Sequence, residues 1–116
     1  MQRFLDAYIT CALWSSSDGD SESLEQTGAE IDSNTVAQMT LDCSRFLGDA
    51  QRAGLLDLVL SNFEQAGHDF WLTRNGHGAG FWDGDWPEAE GMQLTAISKT
   101  FKEVNLYVGD DGKIYG

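Results

Sequence analysis

The chain has 116 residues, is 41% hydrophobic and carries four Trp, six Phe and three Tyr, enough for one folded domain spanning 1–116 and too apolar for intrinsic disorder. No apolar run approaches the ~18 residues of a membrane helix, so no membrane span is expected. Nineteen acids against seven bases give a net charge of −12. That field opposes direct binding of nucleic acid or an anionic membrane, and it attracts a basic partner.

The opening Met1-Gln-Arg-Phe-Leu-Asp lacks a basic flank leading into an uninterrupted apolar stretch. No signal peptide is expected, and Met1 reads as a genuine start. Phe4, Tyr8 and Cys11 share one helical face, widened by Leu5 and Ala12, which predicts a helix from about Arg3 to Trp14. Ser15-Ser-Ser-Asp-Gly-Asp-Ser ends it. From Ser15 to Asn34 there is no base, while Asp18, Asp20, Glu22, Glu25, Glu30 and Asp32 crowd together, so this reads as an acidic loop. The spacing Asp18-x-Asp20-x-Glu22 matches the start of a calcium loop. The sixth position is Ser23 instead of glycine and the twelfth is Ala29 instead of an acid, so the motif fails.

Ser33 or Asn34 can cap a second helix, in which Val36, Met39, Cys43, Phe46, Leu47 and Ala50 recur at helical spacing to about Gln51. Gly54 breaks it, and Leu55 to Leu60 predicts another turn or two of helix. Asn62 to His68 reads as a connection pivoting on Gly67. Asp69 to Arg74 then reads as a strand, with Phe70 and Leu72 on one side and Trp71 and Thr73 on the other. Asn75-Gly76 is a turn signal, and Phe81-Trp82-Asp83 reads as the returning strand. Asp85 and Pro87 open a further helix, with Glu88 and Glu90 at its start and Lys99 and Lys102 at its end. Alternation at Val104, Leu106 and Val108, the turn Asp110-Asp111-Gly112, and Lys113-Ile-Tyr115 predict a second hairpin. The expected fold class is α+β: a small antiparallel sheet of two hairpins packed against three to four helices.

No cofactor or metal is expected. Gly76-His-Gly-Ala-Gly80 resembles a phosphate loop only superficially, because Phe81 and Trp82 follow where a helix and lysine belong. Cys11 and Cys43 lack the histidine company of a zinc site and read as reduced core residues. No serine or cysteine sits in a nucleophile elbow. Trp71, Trp82 and Trp86, with Phe70 and Phe81, read either as core or as an aromatic patch ringed by acids, the make-up of an interface. Arg74 reads as an ion-pair partner of Asp69 or Asp83, or as an interface anchor.

The block His68-Asp-Phe-Trp-Leu-Thr-Arg-Asn-Gly-His-Gly-Ala-Gly-Phe-Trp-Asp83, with Leu106-Tyr-Val-Gly-Asp-Asp-Gly-Lys-Ile-Tyr115, resembles small acidic proteins of bacteriophages and mobile elements. The resemblance covers about the C-terminal half and implies a short accessory protein acting in the cytoplasm of a bacterial host. Small acidic phage proteins often inhibit host defence, in the anti-CRISPR or anti-restriction manner, by presenting carboxylates to a cationic nucleic-acid channel as a DNA mimic does. The expected function is therefore non-enzymatic inhibition, with a basic host protein or ribonucleoprotein (a nuclease or CRISPR effector) as partner. The expected contact residues are Asp18, Asp20, Glu22, Glu25, Arg74, His77, Trp82, Asp83, Asp85, Trp86, Glu88 and Glu90. Two alternatives stand beside it: a small hydrolase or metal-dependent enzyme built on His68, Asp69, His77 and Asp83, and a phage assembly adaptor.

Overall fold

The computed structural model describes residues 1–17, 23–77 and 79–116. Its elements run α1 (Gln2–Ser15), α2 (Leu24–Thr27), α3 (Ser33–Arg52), α4 (Leu56–Ser61), α5 (Phe63–Arg74), α6 (Glu88–Lys99), β1 (Tyr107–Val108) and β2 (Ile114–Tyr115). The α+β expectation is corrected. The described residues form six helices and one hairpin with two residues per strand, in which Tyr107 faces Tyr115 and Val108 faces Ile114. A parallel bridge from Ile31 to Ile114 ties that hairpin to the segment before α3.

Helix α1 buries Phe4, Leu5, Tyr8, Cys11 and Ala12 as one stripe, and Ser16 ends it in an extended conformation. Helix α2 is a single turn inside the expected loop. It is started by a reciprocal capping box between Ser23 and Gln26 and stopped by Gly28 at φ 68°. Asp32, rather than Ser33 or Asn34, caps α3 by accepting from the backbone N–H groups of Asn34 and Thr35. Met39, Cys43, Phe46 and Ala50 carry the inner face of α3.

The largest departure lies at residues 62–83. The expected connection and strand are one helix, α5, and Phe81–Asp83 is a turn rather than a returning strand, so the first expected hairpin does not exist. Helix α5 lies along α1 and against α6, and buries Ala66, Gly67, Asp69, Phe70, Trp71, Thr73 and Arg74. A helix buried on most of its circumference has no polar stripe to reveal its period, and its aromatic content then mimics a strand. Gly67 is the crossing point. A Cβ there would lie 2.8 Å from the Phe4 carbonyl oxygen and 2.9 Å from the Ala7 Cβ. Helix α6 starts at Glu88, with Pro87 just before it and Asp85 making no cap.

The core is a run of packed rings drawn from α1, α3, α5 and the turns at Phe81 and Phe101. Phe46 of α3 stacks on Phe70 of α5 at 4.4 Å, on Phe4 of α1 at 5.6 Å and on Phe81 at 5.8 Å. Phe101 meets Phe70 edge-on at 5.0 Å. Such offset and edge-on pairs add ~0.5–1.5 kcal/mol each beyond the area they bury. Beside these rings sits a buried charge pair. Arg74 donates to Asp42 at 2.8 Å, to the Tyr8 hydroxyl at 3.1 Å, and to the carbonyls of Phe101 at 2.7 Å and Lys102 at 2.8 Å.

Candidate functional site

The chain between α5 and α6 is held from below at several points. Asn75 donates to the Trp71 carbonyl at 2.9 Å and accepts from the Val104 N–H at 2.7 Å. Phe81 is buried, its N–H donates to the Thr73 hydroxyl at 3.2 Å, and its ring lies 5.5 Å from that of Trp86. Trp86 is also buried and donates from Nε1 to an Asp69 carboxylate oxygen at 2.6 Å. Gly91 lets the first turn of α6 press on this loop, because a Cβ there would come within 2.5 Å of the Phe81 carbonyl oxygen. Gly80 is needed for a related reason, as a Cβ would overlap both the Thr73 hydroxyl and the Trp82 ring.

Between the two buried anchors, Phe81 and Trp86, the loop turns its remaining side chains outward. Trp82 is 46% exposed. Asp83, Asp85 and Glu88 are exposed and Glu90 is half-buried, the last two in the first turn of α6, where the helix dipole favours acids. Asp83 accepts from the Gly80 N–H at 3.2 Å, and Asp85 accepts from the Gln65 side chain at 3.4 Å. Among the described residues only Asp42 and Asp49 form ion pairs, with Arg74 and Arg52. The carboxylates around Trp82 therefore have no internal cation, and no Lys or Arg occurs between Arg74 and Lys99.

The other expected contact residues are placed differently. Asp18, Asp20 and Glu22 lie outside the described residues. Glu25 is exposed on α2. Arg74 is 5% exposed and Trp86 is 7% exposed, so neither presents a surface anchor; one holds Asp42, the other Asp69. His77 is half-buried and borders a different cleft, with Ser15, Asn75 and Asn105.

The hydrolase quartet is dispersed. His68 faces the clefts beside α1, His77 faces the cleft below Asn75, and Asp69 is turned inward to Trp86 and Gln65. Among the described residues no three His, Cys, Asp or Glu side chains are grouped to hold a metal. Burial pushes the Cys11 thiol up to about 11, with the Asp69 charge adding to it. Burial, with the charge of Asp42, also raises Cys43 well above the ordinary thiol range. Both thiols stay protonated at neutral pH and are poor nucleophiles. Burial likewise raises the Asp69 carboxyl, against the lowering effect of the hydrogen bonds from Trp86 and Gln65.

Two further aromatics, Trp14 and Tyr107, are exposed without having been expected at a contact surface. Trp14 is 64% exposed at the end of α1, beside a cleft that also borders Glu25, His68 and Leu72. The signal was its position at the margin of the apolar stripe of α1, next to the serine run. No described helix is long and apolar enough to cross a membrane. Comparison of the chain with protein-family models, with curated proteins and with solved structures finds no match.

Proposed function

We propose that the chain is a binding protein that inhibits a host defence system, docking its carboxylates on the basic nucleic-acid groove of a nuclease or CRISPR effector in the bacterial cytoplasm. The observation that carries this reading is the outer face of the Trp82–Glu90 loop. Its acids lack internal cations, its exposed tryptophan supplies an apolar contact, and its backbone is pinned by Phe81 and Trp86 before any partner arrives. A pre-organised loop loses little freedom on docking. Unneutralised carboxylates speed encounter with a cationic surface, while burial of an aromatic sets residence time. The phage-like blocks at His68–Asp83 and Leu106–Tyr115 supply the setting.

The test has two steps. Affinity capture from phage-infected cells identifies nucleases or CRISPR effectors that bind the chain. The purified target is then assayed for DNA or RNA binding with increasing amounts of the chain. Competition that weakens as salt rises, and that the combined variant Asp83→Asn, Asp85→Asn, Glu88→Gln, Glu90→Gln loses by tenfold or more, is the expected result. A target whose nucleic-acid binding is unaffected by the chain, or affected equally by that variant, overturns the reading.

A further inference from the structure

Two open clefts of about 360 Å3 each lie end to end along the seam between α1 and α5, sharing Thr10 and His68. At one end the cleft is apolar, bounded by Cys11, Trp14 and Leu72. At the other, Ala7 and Phe63 contribute to the lining. The rims are acidic. Glu25 stands beside Trp14, Asp6 and Glu64 border the far end, and Gln65 connects the near end to Asp85 through a hydrogen bond of 3.4 Å. Arg3 borders the far end, its guanidinium over the Phe63 ring at 5.6 Å, and His68 lies where the two clefts meet. The trough follows α1 from Arg3 to Trp14, about 16 Å at ~1.5 Å rise per residue, which matches roughly three turns of a docked helix.

We infer that this trough binds a basic amphipathic helix of the partner protein. An apolar side chain of that helix fills the pocket between Trp14 and Leu72, and Lys or Arg residues on its flanks face Glu25, Asp6, Glu64 and Asp85. The charge pattern selects this occupant. A neutral apolar helix would leave the carboxylates of Glu25, Asp6, Glu64 and Asp85 without a cation, and an acidic one would be repelled, whereas a helix with a greasy stripe and cationic borders satisfies both the apolar lining and the rims. Trp14 is the anchor: a large, mostly exposed aromatic at the mouth of an apolar pocket is the residue type that dominates interface energetics. The inference rests on the chain being an acidic binding protein, and it adds a second contact that adjoins the Trp82 loop at Asp85.

The probe is a synthetic fourteen-residue peptide of Leu, Lys and Arg in helical amphipathic order, with a scrambled peptide of the same composition as control, both titrated by calorimetry against the full chain. The ordered peptide is expected to bind at least about tenfold tighter than the scrambled one. Trp14→Ala should weaken it by about tenfold or more, and Thr10→Trp, which places a bulky ring where the two clefts meet, should do the same. Thr10 and Trp14 are both exposed, so these variants keep the fold, which a thermal melt verifies. The combined change Glu25→Gln, Glu64→Gln should also weaken binding, while Asp83→Asn, Glu88→Gln should leave it largely intact. Equal binding of ordered and scrambled peptides, no binding of either, or indifference to both Trp14→Ala and Thr10→Trp overturns the trough. Each of these results leaves the groove-competition assay, which reads the Trp82 loop, free to succeed or fail separately.

Discussion

Arg74 and Asp42 illustrate how much one residue pair can carry. Both are buried, and every polar contact of the guanidinium is made inside the protein, to a carboxylate, a phenol and two carbonyls. Removing one partner leaves the other charge without compensation. Asp42→Ala is therefore expected to cost about 3–5 kcal/mol, measured by urea unfolding, and the double variant Asp42→Leu, Arg74→Met should recover part of that loss. Asp69 makes a second prediction. Its folded carboxyl titrates above the ordinary value, so its contribution to stability is complete below the unfolded value near ~3.9 and is lost as pH rises through the folded value. Asp69→Asn keeps an acceptor for Trp86 and removes the charge. Relative to wild type, the variant should gain stability between pH ~4 and pH ~7, read from unfolding midpoints at the two pH values. An unchanged difference would show that Asp69 does not titrate in that window.

At the level of elements, two helical glycines should respond oppositely to the same substitution. Gly48 in α3 has only the flexible end of Arg52 near a new Cβ, at 3.7 Å, so Gly48→Ala should stabilise by about 0.5–1 kcal/mol through helix propensity. Gly67 in α5 faces backbone atoms of α1 that cannot yield, so Gly67→Ala should destabilise by about 1–3 kcal/mol as α1 and α5 are forced apart. Thermal or urea melts of both variants check the contrast. The same crossing sets α5 apart from what its residue pattern predicts. Gly67 reads as a pivot because glycine usually punctuates loops, and Asp69 to Arg74 reads as a strand because Phe70, Trp71 and Thr73 are residue types that strands favour. The helix forms because those residues find burial on several sides at once, against α1, α3 and α6. By contrast, the amphipathic stripes of α1 and α3 each face one side, and their expected spans differ from the observed ones by a residue or two.

For the molecule as a whole, the net charge of −12 sets the balance between self-repulsion and attraction to others. Raising salt from about 0.05 M to about 0.5 M should raise the thermal midpoint by screening repulsion among the surface acids, and the same change should weaken docking on a basic partner. Opposite signs in the two measurements distinguish a charged interface from charge that serves solubility alone. The sequence by itself determined the net negative charge, the one-sided helices and the turn at Asp110-Asp111-Gly112, because these depend on composition and local periodicity. Only the tertiary structure decided that Arg74 and Trp86 face inward while Trp14 and Trp82 face outward. Which side of an aromatic or charged residue meets solvent depends on the elements packed around it, and those come from distant parts of the chain.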